Sequence, residues 1–145
     1  MPNDSSLSNK RLNVFILEDE IDRYPRIQLK QVLEGKHELT IARSCDDAAE
    51  KYPTGMPYDL LLLDHDMEGD YEYRPEYPNT GYQFLKWLTF NHCPELGGTY
   101  PQVILHSHNP VGRKRMRDLL EQHGFDVSES PFGPAYVKQL KEQLG

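Results

Sequence analysis

At 145 residues the chain is long enough for one sizeable core and too short for two. A hydrophobic fraction of 37% excludes a disordered chain, and a formal net charge of -7 excludes a mainly electrostatic grip on nucleic acid, so any such contact must be local. The longest apolar run is the four leucines 60 to 63 and the start "MPNDSSLSNKR" is polar, so neither a membrane span nor a signal peptide is expected and the expected location is cytoplasmic.

Residues 1 to 10 read as a flexible lead-in to one domain over 11 to 145. "NVFIL" (13 to 17) is a short apolar run stopped by Glu18, Asp19 and Glu20, and predicts the first strand. Residues 21 to 35 predict a helix, with Asp22 as a cap, Pro25 in its first turn and Gly35 as its stop. "HELTIA" (37 to 42) alternates weakly, as an edge strand does, and residues 44 to 52 open with a capping Ser44 and two acids suited to a helix N-terminus. The third strand is "YDLLLLD", residues 58 to 64, whose unbroken apolar character marks burial on both faces. A loop rich in Tyr, Glu and Pro (65 to 80) precedes an amphipathic helix over 81 to 91. "PQVILHS" (101 to 107) is the fourth strand, Asn109 and Pro110 start a helix stopped by Gly124, "FDVSES" (125 to 130) is the fifth strand, and Gly133 and Pro134 introduce a last helix over 135 to 144. Cys45 and Cys93 lack C-x-x-C spacing and are expected to be free structural thiols.

Five strands alternating with five helices predict a doubly wound parallel sheet, whose ligand site lies beyond the carboxyl ends of the strands. Glu18 and Asp19 end the first strand, Asp64 the third and Ser107 the fourth, so residues far apart in sequence converge on one pocket. Any one of these acids alone would read as a solvated cap. Three together would repel one another without a cation, and a hard divalent ion, Mg²⁺ or Mn²⁺, suits carboxylate oxygens that leave positions for water and phosphate.

The ordered motifs "FILEDE", "DLLLLD", "VILHS" and "SPF" resemble those of response-regulator receiver (CheY-like) domains over nearly residues 12 to 144. The resemblance implies a flavodoxin-like fold with strand order 2-1-3-4-5. It implies that Glu18 and Asp19 are the metal-binding acidic pair, that Asp64 is the phosphoacceptor and that Ser107 is the hydroxyl contacting the phosphoryl group. One element is missing: receivers carry a lysine just before the proline of the last segment, and here that position is Ser130. The "DHD" at 64 to 66, the acidic loop before "TGY" and the "HSHN" at 106 to 109 look similar to a divergent receiver branch that processes cyclic phosphates, RNA ends among them. The expected partner is therefore a small phosphorylated ligand or an RNA end, and no membrane.

His106 and His108 share one face of a continuing strand while Ser107 takes the other. His106 is expected to be a hydrogen-bonded core residue. His108 and Asn109 are expected at the rim, where an imidazole can protonate a leaving alkoxide. With the lysine gone, Arg113, Lys114, Arg115 and Arg117 in "GRKRMR" and Arg23 after the acidic cluster are candidates for the phosphate. Basic residues on a helix are usually a solvated face, and that reading is favoured for the first four. "LLLLDHDM" also fits the nucleophile strand of a haloacid-dehalogenase-like phosphatase, but an acidic strand precedes it and no late acidic pair follows. Two other readings stay open: a phosphoacceptor signalling domain, and a non-catalytic module that binds a protein through the face of helix four.

Overall fold

The computed structural model describes residues 11–66, 80–92 and 100–144. The expected lead-in, Cys93 and nearly all of the 65 to 80 loop lie outside the described residues. The chain alternates strand and helix throughout: β1 (Asn13–Leu17), α1 (Ile27–Leu33), β2 (Glu38–Ala42), α2 (Cys45–Gly55), β3 (Leu60–Leu63), α3 (Gly81–Asn91), β4 (Gln102–Leu105), α4 (Pro110–Gln122), β5 (Asp126–Glu129) and α5 (Pro134–Leu144). All strand pairs are parallel in the order β2-β1-β3-β4-β5, the expected doubly wound, flavodoxin-like sheet. Among the described residues no helix is long and apolar enough to cross a membrane.

The four leucines of β3 explain the sheet's central position. Leu61 and Leu63 pack with Phe15, Phe84 and Met116 on the side covered by α2, α3 and α4. Leu60 and Leu62 pack with Ile16, Leu29 and Tyr136 on the side covered by α1 and α5. Each is buried at a gain of roughly 2 kcal/mol, and alternation along one strand lets it feed both layers.

Local chemistry fixes most element ends. Ser44 Oγ accepts from the Asp47 N–H and Asn109 Oδ1 from the Gly112 N–H, the expected caps of α2 and α4. The first helix departs from expectation, since it starts at Ile27 rather than near residue 21. Pro25 disfavours helical backbone at the residue before it, and the carboxylate expected as a cap is engaged elsewhere: Asp22 accepts from Arg43 Nη2 at 2.6 Å and lies 3.6 Å from Lys30 Nζ. Strand four is also shorter than expected and ends at Leu105, ahead of His106 and Ser107. Cys45 is half-buried at the start of α2, and burial followed by the Asp46 charge pushes its thiol up to about 11, as suits a structural cysteine.

Arg113 and Arg117 fasten α4 to β5. Arg117 Nη1 donates to Glu129 Oε2 at 2.6 Å and Arg113 Nε to Glu129 Oε1 at 2.9 Å, and Arg113 Nη1 reaches the Ser107 carbonyl at 2.6 Å. The hydrogen bond from Arg117, then that from Arg113, hold the Glu129 carboxyl below the ordinary carboxylate range. A carboxyl lowered on folding adds stability above its unfolded value and loses it as pH falls. Glu129→Gln is therefore expected to lower stability by up to roughly 1 kcal/mol at neutral pH, solvent screening limiting the loss. In urea melts repeated down to about pH 3, the gap from wild type should close; a gap that widens on acidification would contradict this clamp.

Candidate functional site

Register builds the site. Leu17 pairs with Leu63 and Leu63 with Leu105, so the next residue of each strand falls in one row: Glu18, Asp64 and His106. The backbone continues the pairing past the strand ends, with Asp64 N–H donating to the Leu17 carbonyl and His106 N–H to the Leu63 carbonyl. By alternation these three share the face of Ile16, Leu62 and Ile104, toward α1 and α5. All are buried, and one ligand atom from each lies within 4.8 Å of the others.

Glu18 is the hub. Its Oε1 accepts from His106 Nε2 at 2.9 Å and Arg26 Nε at 3.1 Å, and its Oε2 from the Glu20 N–H at 3.1 Å. Burial alone would raise the Glu18 carboxyl, but the His106 bond, the His106 and Arg26 charges and the Glu20 amide outweigh it and hold it below the ordinary range. Asp64 moves the other way. Burial drives it up and the Glu18 charge adds to that; the His106 charge, the hydrogen bond from the His65 N–H to Oδ1 and the Arg26 charge pull it down and do not compensate. Its Oδ2 takes no hydrogen bond among the described residues.

Behind the row stands an aromatic wall. His106 Nδ1 is 3.2 Å from the Tyr136 hydroxyl, and Tyr136 is buried, its phenol pushed well above the usual value first by burial and then by the Glu18 and Asp64 charges. Phe132 packs on Tyr136, and the Arg26 guanidinium lies over the Phe132 ring at 4.9 Å. Arg26 stands immediately before α1 and is brought inward by that stacking and by Glu18.

The sequence-predicted residues do not all converge. Glu18 and Asp64 converge as expected. Asp19 is half-buried one residue beyond the row and is not among the three that converge. Ser107 is buried beside His106, and its Oγ accepts from the Asn109 N–H. Asn109 itself caps α4 with Oδ1 and holds both Asp66 oxygens with Nδ2 at 3.2 Å. His108 is exposed at the rim. Arg113 is engaged by Glu129 and Ser107, and Arg23 is exposed and lies 3.5 Å from Glu20. His65 is buried, with Nδ1 2.7 Å from Asp66 Oδ1 and Nε2 without a hydrogen-bond partner among the described residues.

Sequence reasoning did not anticipate Arg26, Tyr136 or Phe132, and it placed His106 in the core without its link to Glu18. The parity of "VILHS" carried one signal, since His106 shares the phase of Ile104 and so faces the side that Asp64 faces. Nothing in "YPRI" marked Arg26. The donor set fits a divalent cation: among the described residues Asp64 Oδ2 accepts no hydrogen bond, and Glu18 Oε2 accepts one and keeps a lone pair.

Five parallel strands in this order, with carboxylates at the tips of β1 and β3, are the arrangement of a receiver domain, a class that shares its strand order with flavodoxin. The chain is similar in fold to the phosphorylated cyanobacterial phytochrome response regulator RcpA, with 16% identity over 93% of this chain and 89% of that one and a TM-score of 0.60. A CheY-like receiver domain protein from Methanospirillum hungatei JF-1 is 17% identical over 93% of this chain and 94% of that one, with a TM-score of 0.59. NtrX from Brucella abortus in complex with ADP is 22% identical with a TM-score of 0.58; 93% of this chain matches, and it spans only 27% of NtrX. No curated protein matches the chain. The family model for the cyclic-phosphate processing receiver domain matches residues 13–122, and the chain belongs to that family.

The two carboxylates of the row should respond oppositely to neutralisation. In chelator-containing buffer, Asp64→Asn is expected to raise the melting temperature, because it removes a buried charge repelled by Glu18. Glu18→Gln strands Arg26 and His106 and is expected to cost about 3 kcal/mol. Melting temperatures that shift in the same direction for both variants would refute this division.

Proposed function

We propose that the pocket of Glu18, Asp64, His106 and Arg26 handles a phosphoryl group, and that the chain processes a cyclic phosphate or another phosphate ester, either a small ligand or an RNA end. The observation that carries this reading is Arg26. Where the resemblance leads one to expect a lysine, the chain has Ser130, yet two residues on Phe132 holds a guanidinium against the acidic row. A fixed cation at that edge can meet phosphoryl oxygens through the planar fork that suits them.

The roles follow from the groups present. Glu18 and Asp64 would hold a divalent cation, which when bound offsets negative charge gathering on the phosphoryl oxygens. Arg26 orients the phosphate from the α1 side. To open a cyclic phosphate, a water oxygen bonds to phosphorus and loses its proton to solvent, one ring P–O bond breaks, and the leaving oxygen takes a proton. His108, exposed at the rim, supplies that proton. Ser107 and Asn109 shape the turn that presents His108, through the Asn109 N–H to Ser107 Oγ bond.

A phosphoacceptor role is supported by one feature, the open Oδ2 of Asp64 at the tip of β3. In that reading Oδ2 bonds to phosphorus of a phosphodonor, the donor's own P–O bond breaks and its leaving group departs (acetate from acetyl phosphate), and the chain keeps the phosphoryl group; the similar RcpA structure is of a phosphorylated protein. Incubation with nucleoside 2′,3′-cyclic phosphates, and separately with acetyl phosphate, followed by product analysis and intact mass, separates the two. The expected result is ring opening that His108→Ala slows by about 10²- to 10⁴-fold. Arg26→Ala should raise KM, and Arg26→Lys should recover only part of the loss. A stable adduct on Asp64 with every cyclic phosphate untouched would establish the signalling role instead.

A further inference from the structure

The row beyond the strand ends is not an all-oxygen set. His106 lies in register with Asp64, its Nε2 is 2.9 Å from Glu18 Oε1, and a ligand atom of His106 lies within 4.8 Å of one from each of the two carboxylates that would hold a cation. We infer that this site is a mixed nitrogen–oxygen centre for a first-row transition metal ion such as Mn²⁺, Fe²⁺, Co²⁺ or Zn²⁺, in preference to Mg²⁺, with His106 Nε2, Glu18 and Asp64 as its protein ligands. This rests on the divalent-cation reading above and specifies which ion.

Four observations support it. The 2.9 Å between His106 Nε2 and Glu18 Oε1 is already about the spacing of neighbouring donors on one ion with bonds near 2.1 Å. Asp64 Oδ2 takes no hydrogen bond among the described residues, although its residue is only 7% exposed. His106 is wholly buried, so its ring cannot swing out to solvent as a surface histidine does. Its far nitrogen, Nδ1, is 3.2 Å from the Tyr136 hydroxyl, the kind of outer partner that sets the tautomer of a metal-bound imidazole.

Binding changes the ring in a defined way. Nε2 now donates to Glu18; as a ligand it offers a lone pair instead, and the ring carries its proton on Nδ1, where the Tyr136 oxygen can accept it. Mg²⁺ gains little from this, because it prefers six oxygens and keeps its water. A transition ion gains a nitrogen bond, and affinity at such sites rises from Mn²⁺ through Fe²⁺ to Co²⁺.

The test uses the full chain stripped of metal and titrated with Mn²⁺, Co²⁺ and Mg²⁺ in turn. Calorimetry should give tighter binding for Mn²⁺ and Co²⁺ than for Mg²⁺. Bound Co²⁺ should show visible ligand-field bands, and pulsed electron paramagnetic resonance of bound Mn²⁺ should show coupling to one imidazole nitrogen. His106→Ala is expected to abolish that coupling and the preference over Mg²⁺. Should His106→Ala fail to fold, Tyr136→Phe serves: it should weaken Mn²⁺ about tenfold, the size of an outer-shell loss, and leave Mg²⁺ unchanged. Mg²⁺ binding as tight as Mn²⁺, with no nitrogen coupling, would overturn the inference and leave the divalent-cation reading standing. Silence from all three ions would overturn both.

Discussion

Everything distinctive about the pocket depends on strand register. β1, β3 and β4 are adjacent and parallel, and their last paired residues, Leu17, Leu63 and Leu105, lie level across the sheet. The next residues therefore emerge together, on the same face, above the same pair of helices. A slip of one residue in any strand would send its polar group to the opposite side of the sheet and break the row. The leucines that make β3 unreadable as an alternating strand are what prevent the slip, because each is fitted into one of two separate apolar layers.

The row is then an electrostatic problem that the fold partly solves with its own side chains. Two carboxylates within 4.8 Å of each other at an effective dielectric of about 20 repel by roughly 3 kcal/mol, enough to matter in a domain of this size. Arg26 and His106 both settle on Glu18 rather than sharing themselves between the acids. Glu18 thus takes the direct hydrogen bonds of both groups, whereas Asp64 feels their charges only through space. That asymmetry accounts for the opposite displacement of the two groups, and it leaves Asp64 as the member with an open oxygen.

Much of the scaffold was legible because it rests on local rules. The strand and helix alternation, the two-sided burial of β3 and the Ser44 and Asn109 caps follow from apolar runs and from short polar side chains at helix starts. Glu18 and Asp64 were legible for the same reason, as charges ending apolar runs. Arg26 was not, because what brings it to the site is a stack on Phe132, more than a hundred positions later in the chain, and no periodicity reports such a contact. The start of α1 was misplaced because Asp22, a good cap by type, has a better partner in Arg43 across a turn. His106 was visible as a buried histidine, but its attachment to Glu18 depends on the level register of β3 and β4, which becomes definite only in three dimensions.

The same register explains why neighbouring residues at these strand tips have such different work. Asp64 faces α1 and α5, whereas His65, one position on, faces α3 and α4, where a side-chain carbon at Gly112 would collide with its ring. A carbon at Gly81 would likewise collide with the Asp64 carbonyl, so both helices start hard against the tip of β3. On that far side lie the contacts that fix the scaffold: His65 with Asp66, Asp66 with Asn109, and Ser107 with the turn into α4. On the near side lie the ionisable row and the arginine. Arg113 belongs to the far side and is held by Glu129, so a basic residue close to the pocket in sequence serves packing, while Arg26, distant from β4 and β5 in sequence, supplies the pocket's charge. Proximity along the chain was a poor guide here because alternation at a strand end separates adjacent residues by the full thickness of the sheet.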